Sequence, residues 1–414
     1  MASKALIPFL VAMMLLTGVC NTLLTKYQDM QCVRDCDTDH PKNFEQPVLQ
    51  TAQMFIGESG CWIVVGLMTL YRKYFNKRTP GENGYRPVNT NDGHDDDDGA
   101  VRHSNGHSTA AKGDGYGVLS GFRILLLALP AICDICGTTL MNVGLLMVAA
   151  SIYQMTRGAL VLFVGLFSVT FLRRKLHAFQ WVSLVGVVFG VALVGLAGAI
   201  SPDHKAAPEP PVAGEPSTEN PGLPDAARAI VGVLLIAGAQ IFTATQFVLE
   251  EWILERSEIE PITVVGWEGL FGLAVTLIGM LVLHFAIGRT ETGRYGMFDM
   301  VEGFRQMTEY KAVLLSSFLI MISIGGFNFF GLSVTRSVSA TSRSTIDTCR
   351  TLFIWIVSLG LGWETFKWLQ VAGFAVLVYF TFLFNGIVKP PFKFLEVDDS
   401  EVEELLPEEP IEHN

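Results

Sequence analysis

From Lys4 to Val388 the chain alternates long apolar runs with short polar breaks, about ten times over. Five of the runs, Ala5–Thr25, Ala178–Pro202, Ala229–Leu249, Ala312–Thr335 and Trp368–Val388, contain no Asp, Glu, Lys or Arg. At ~1.5 Å per helical residue each can cross a ~30 Å hydrocarbon core. The pattern predicts an all-α polytopic membrane protein with helices near 5–25, 47–71, 123–146, 150–172, 178–200, 227–249, 262–285, 312–335, 340–362 and 366–388. The uncharged stretch between Asp134 and Arg157 exceeds the remainder of one helix, so a turn is expected near 148–150. The first run is longer than a typical signal-peptide core and lacks a clear small-x-small cleavage site, so it reads as a retained helix.

Two long polar stretches divide the pattern. Residues 72–121 begin with Arg72, Lys73, Lys77 and Arg78 and continue as a Gly/Asn/Asp/His-rich segment of disordered composition. Residues 201–226 form a Pro-rich linker. The chain then reads as a first five-helix repeat (1–200), the linker, a second five-helix repeat (227–388) and an acidic tail (389–414). An odd number of helices per half inverts the second half relative to the first, the plan of many secondary transporters. The basic loops after helices 2 and 4 place both termini in the cytoplasm, and the loop after helix 7, with Arg289, Arg294, Arg305 and Lys311, argues the other way.

Composition supports the membrane reading. Apolar residues make up 50% and charged residues 17%, the latter below the roughly 25% of soluble domains. The net charge of −11 does not point to a basic partner. It resides in Asp92, Asp95–Asp98 and the acids that follow Lys393, and no nucleic-acid partner is expected. Cys32 and Cys36 in the first loop can pair if that loop faces an oxidising lumen. The Cys133-x-x-Cys136 spacing lies inside a membrane helix with no second pair, which argues against a metal or redox centre. No P-loop or hydrolase motif is present, so no cofactor and no enzyme activity are expected.

Ionisable groups in hydrocarbon cost at least ~2.5 kcal/mol and need a reason. Glu58 and Asp134 fall near the middles of helices 2 and 3, Arg157 about two turns into helix 4, and Glu268 near the start of helix 7. Arg343, Asp347 and Arg350 share one face of helix 9. Asn21, Gln50, Gln154, Gln240, Gln246 and Asn328 add neutral polar groups. These side chains either fix helix packing or line a water-filled cavity, and charges of both signs on several helices favour the cavity. Near the end, Glu401 with Leu405 and Leu406 forms the acid-plus-dileucine pattern read by cytosolic sorting adaptors.

Several of these segments together resemble the drug/metabolite transporter superfamily, and within it solute carrier family 35, subfamily F, the nucleotide-sugar-transporter-like carriers with EamA-type repeats. The resemblance rests on Met54–Glu58, Pro130–Asp134, Gln154–Ala159, Val248–Glu251, Glu268–Gly272, Phe327–Phe329 and Leu361–Glu364. It implies ten helices in two inverted repeats around a solute site, and an endomembrane home, lysosome or vacuole before Golgi or mitochondrion. The expected function is secondary transport of a small polar or anionic organic solute by alternating access, the alternative being a non-transporting scaffold or receptor. The expected solute contacts are Asn21, Gln154, Arg157, Gln246, Asn328 and Arg350. Glu58 or Asp134 would exchange a proton, and Glu268, Arg343 and Asp347 would be structural or gating charges. The expected partners are the solute, the lipid bilayer and sorting adaptors on the tail, and a homodimer is compatible with this plan.

Overall fold

Apolar runs become helices because every backbone polar group in hydrocarbon must be satisfied within its own segment. The computed structural model describes residues 2–34, 36, 42–75, 121–145, 147–148, 153, 156–200, 225–257, 259–290, 293–363 and 365–390. Helix α1 spans Ala2–Asp29. The loop after it carries a small antiparallel pair, β1 (Cys32–Arg34) and β2 (Lys42–Asn43), and a disulfide between Cys32 and Cys36.

The single helix expected over 47–71 is two helices, α2 (Pro47–Ser59) and α3 (Cys61–Phe75). Pro47 opens α2 at a position where its missing N–H costs nothing. At the break the Gly60 amide still bonds the Ile56 carbonyl at 2.9 Å, so the pair remains one membrane span. A 3₁₀ segment (Gly121–Leu127) leads into α4 (Ala128–Leu145), and the Met147 amide turns back onto the Gly144 carbonyl at 3.0 Å. That turn begins where one was expected; residues 149–150 lie outside the described part.

The remaining helices are α5 (Leu160–Phe171), α6 (Ala178–Ile200), α7 (Asp225–Arg256), α8 (Pro261–Leu283), α9 (Met300–Glu309), α10 (Lys311–Ser337), α11 (Ala340–Gly360) and α12 (Trp368–Phe384). Helix α7 runs well past the expected end at 249 and takes Glu250 and Glu251 into the bundle. Helix α9 was not expected. It is short and largely polar, so no apolar run marks it. Its N-cap, Asp299, accepts from the Glu302 amide, and its inner side buries Met300 and Gly303. Among the described residues seven segments are long and apolar enough to span a membrane. Two shorter apolar helices, α5 and α12, and the charge-bearing α11 pack among them.

The strongest helix pairings are α6 with α12, α4 with α7, α1 with α10 and α2 with α8, with α5 also against α11. Lipid tails supply no hydrophobic drive between helices, so small residues that admit close backbone approach do the work. A Cβ on Gly190 of α6 would lie 2.8 Å from the Leu377 amide nitrogen and 3.0 Å from the Gly373 carbonyl of α12.

At one end of the bundle Val33, Phe44, Leu49, Met280, Met300 and Val313 form a buried apolar cluster. The Tyr310 hydroxyl donates to the Val33 carbonyl at 2.6 Å. The loop after α1 and the basic loop after α8 therefore share that end.

Candidate functional site

Three charges on one face of α11 set up the site. Positions i, i+4 and i+7 project within about 60° of one another on a helix of 3.6 residues per turn, and Arg343, Asp347 and Arg350 all face one central cavity. The cavity holds about 200 Å³ and is walled by α2, α4, α7, α10 and α11 together with Arg157 and Leu160, the first residue of α5. Ser339 caps α11, accepting from the Ser342 amide at 3.0 Å, and so fixes where this face begins.

Arg343 does not pair with its helix neighbour Asp347. Its Nη1 meets Glu250 Oε2 of α7 at 2.5 Å, with both side chains 2% exposed. The guanidinium also lies 4.2 Å from the Phe247 ring centroid. The other Glu250 oxygen accepts from Gln246 Nε2 at 3.0 Å. An ion pair withdrawn from water this far is viable only with such additional bonds. Asp347 instead faces Arg350 Nε at 3.4 Å, and the Arg350 guanidinium sits 4.8 Å from the Phe327 ring.

The carboxyls on the opposite wall are held by neutral donors. Asn328 Nδ2 donates to Glu58 Oε1 at 2.6 Å, and Thr138 bonds Asp134. A chamber of about 10 Å³, the size of one water, adjoins the cavity and is bounded by Glu58, Asp134, Glu250, Glu268 and Arg343. Glu268 is buried there, and its Oε1 has no hydrogen-bond partner among the described residues.

Arg157 also lines the cavity. It is helical, as its position in the apolar run suggested, but the Gly158–Ala159 turn separates it from α5. Gly158 follows it where a Cβ would lie 2.6 Å from Val191 Cγ1, so α6 presses on this turn and α5 begins only at Leu160. Among the described residues Arg157 has no carboxylate partner. It acts on a second cation of the same cavity, Arg350, which it opposes electrostatically.

Arg157, Gln246, Asn328 and Arg350 thus come together with Glu58, Asp134, Arg343 and Asp347 around one space. Asn21 does not join them. It is buried between α1 and α10, accepting from Ser323 Oγ at 3.4 Å. Gln154, Glu401, Leu405 and Leu406 lie outside the described residues. Sequence reasoning missed Glu250 because it placed the helix end one residue earlier. The Gln246/Glu250 spacing of four was the available signal. It also missed the wall residues Thr51, Thr138, Phe247 and Phe327, which nothing local distinguishes from other lipid- or core-facing residues.

The chain matches the nucleotide-sugar transporter family over residues 119–324. It is similar to an uncharacterised protein of Schizosaccharomyces pombe, 37% identical over 381 residues, 91% of this chain and 97% of that protein. It is also similar to human solute carrier family 35 member F6, 33% identical over 408 residues, 96% of this chain and 95% of that one. A protein crystal structure superposes with a TM-score of 0.52 at 11% identity, covering 92% of this chain and 98% of that chain, a likeness of fold alone.

Proposed function

The chain belongs to solute carrier family 35, subfamily F, and is a membrane solute transporter and not an enzyme; we propose that it carries a small polar or anionic organic solute by alternating access. The observation that carries this reading is Arg157. A guanidinium on the wall of a buried cavity, sharing it with a second cation and with no carboxylate partner among the described residues, is a charge awaiting an anionic group. Gln246 and Asn328 add amides, and Phe327 and Phe247 add apolar surface. Such a mixture suits an organic solute with one anionic end.

The helix pairings support two inverted repeats. Counting α2 with α3 as one segment and leaving out α9, the ten segments in order are α1, α2–α3, α4, α5, α6, α7, α8, α10, α11 and α12. A two-fold operation that exchanges each segment with the one five later converts the first–eighth pair into the sixth–third pair. It maps the second–seventh, fourth–ninth and fifth–tenth pairs onto themselves. All of those pairs pack: α1 with α10, α7 with α4, α2 with α8, α5 with α11 and α6 with α12. So do two further exchanged couples, α2 with α10 and α8 with α4, and α5 with α7 and α11 with α1. Rocking one repeat against the other then alternates access to the central cavity.

Ten crossings place both termini on one side. The Cys32–Cys36 disulfide favours a lumenal first loop, which leaves the termini and the acidic tail cytoplasmic. The basic loop after α8 shares the lumenal end and is the exception to the positive-inside pattern. An endomembrane location follows from this reading, lysosome or vacuole first. Proton coupling is assigned to Glu58 or Asp134, which line the cavity and are hydrogen-bonded by the neutral donors Asn328 and Thr138.

The test is a thermal-shift screen of the purified protein against nucleotide sugars, nucleotides, amino acids and organic cations, followed by proteoliposome uptake of the stabilising compound. Arg157→Ala should abolish both the shift and the uptake while the unliganded melting temperature stays near wild type. A hit that survives Arg157→Ala, or a variant that melts far below wild type without ligand, refutes this assignment. With the transported compound in hand, Glu58→Gln and Asp134→Asn keep the shape and remove the titration. Uptake that keeps its wild-type pH dependence in both would remove protons from the mechanism.

A further inference from the structure

A second cavity, larger than the central one at about 360 Å³, lies at the end of the bundle that carries the disulfide. It shares no lining residue with the central cavity. Its walls are the β1–β2 segment, the residues leading into α2, and the loop and helix that follow α8, so both halves of the chain contribute. Helix α2 links the two spaces. Gln46 at its N-cap borders the outer cavity, and Thr51, about 7.5 Å along the axis, borders the inner one. A polar seal across α1, α2 and α10 stands at this level. In it Gln28, fully buried, accepts from Gln50 and Gln53 and donates to Ser317 Oγ at 2.8 Å. The outer cavity is therefore a separate compartment.

Three features show that this cavity is built to bind. Gln46 and Gln306, 3% and 5% exposed, form part of its wall, and the side-chain oxygen of each is buried without a hydrogen-bond partner among the described residues. Unpaired buried acceptors cost roughly 1–3 kcal/mol each, which a ligand carrying hydroxyl donors would recover. Arg34 and Lys42 add two cations at the rim, against one acid, Glu45. The third feature is Tyr295, whose ring lies 4.1 Å from the Arg34 guanidinium. Its backbone is held at φ 66°, a left-handed conformation that a non-glycine residue adopts at a cost of about 1–3 kcal/mol. The Tyr295 amide donates to Asp299 Oδ2, so the cap of α9 holds this conformation and the ring stays at the cavity wall.

We propose that the outer cavity is a second binding site, for a small organic anion that also carries hydroxyl groups. Arg34 and Lys42 take the anionic group, Gln46, Gln306 and Glu45 accept from the hydroxyls, and Tyr295 covers the carbon skeleton. Volume decides the size class: about 360 Å³ admits a six-carbon skeleton and excludes a dinucleotide-sized molecule.

The test uses the full-length protein in detergent and three probes that separate the two requirements. D-gluconate has both a carboxylate and hydroxyls, acetate has only the carboxylate, and sorbitol only the hydroxyls. Millimolar D-gluconate should raise the melting temperature by about 1–2 °C, saturably, while acetate and sorbitol leave it unchanged. Lys42→Ala changes an exposed side chain and should weaken the apparent gluconate affinity about tenfold; Gln306→Leu should abolish the shift. Arg157→Ala should leave the shift intact, which separates this site from the central cavity. An equal response to acetate or sorbitol, no response to gluconate, or a response unchanged by Lys42→Ala overturns the proposal. A response lost in Arg157→Ala assigns gluconate to the central cavity and overturns it as well.

Discussion

Replacing Arg343 by Met removes the guanidinium that pairs with Glu250 and leaves four carboxyls, Glu58, Asp134, Glu250 and Glu268, around a chamber the size of one water. Both partners of the ion pair are 2% exposed, so solvent cannot screen the charge left behind. Breaking a pair of this kind from one side costs about 3–5 kcal/mol. An unfolding entropy of about 2.1 cal/mol/K per residue over 414 residues amounts to ~0.9 kcal/mol/K, so the melting temperature should fall by about 3–6 °C. Glu250→Gln should cost less, because it leaves an arginine that keeps its Phe247 ring contact. The double variant carries no unpaired charge at this position and should recover part of the loss. Tryptophan-fluorescence melts of the four proteins in one detergent, read as a double-mutant cycle, should give a coupling of about 2 kcal/mol. If the two single losses add to within about 0.5 kcal/mol, the two side chains act independently. The reading of Glu250–Arg343 as the structural centre of the site then fails.

Gly57→Ala should destabilise by about 1–3 kcal/mol, because its Cβ would lie 2.2 Å from the Met321 carbonyl oxygen, a backbone atom that cannot step aside; a melt within 1 °C of wild type would contradict that packing. In α9, the Arg305 hydrogen bonds to Glu302 hold its carboxyl below the ordinary value of 4.5 despite its burial. A carboxyl so lowered adds stability above its unfolded-state value and loses it as the pH falls toward the folded one. Stability measured from pH 6 down through about 4 should therefore drop more steeply in wild type than in Glu302→Gln, and identical acid limbs would remove the group from the account. Replacing Leu405 and Leu406 together by Ala should redistribute the protein from lysosome- or vacuole-like membranes to the cell surface in microscopy, and unchanged location in the double variant would end the sorting assignment.

Part of the site was legible in the chain. Charges interrupting apolar runs are costly enough to mark themselves, and Glu58, Asp134, Arg343, Asp347 and Arg350 were all found this way and all face the cavity. The spacing on α11 also predicted a shared face correctly. Asn21, a neutral polar group in an uncharged run, was expected beside them and yet bonds Ser323 between two helices, because a neutral amide is cheap enough to serve packing alone. Helix α9 left no apolar run, since a helix lying at the end of the bundle has no hydrocarbon to match.

Amino-acid order alone determined the membrane class, the approximate spans and the identity of the costly charges, because hydrocarbon imposes those terms on each segment separately. Which charge meets which partner was decided only in the folded bundle. Arg343 had Asp347 one turn away and pairs instead with Glu250, 93 residues distant in the chain. The choice depends on α7 and α11 meeting at that height, with Gln246 and Phe247 completing the arginine–glutamate pair. Contacts between segments carry that information, and no pattern within one segment does.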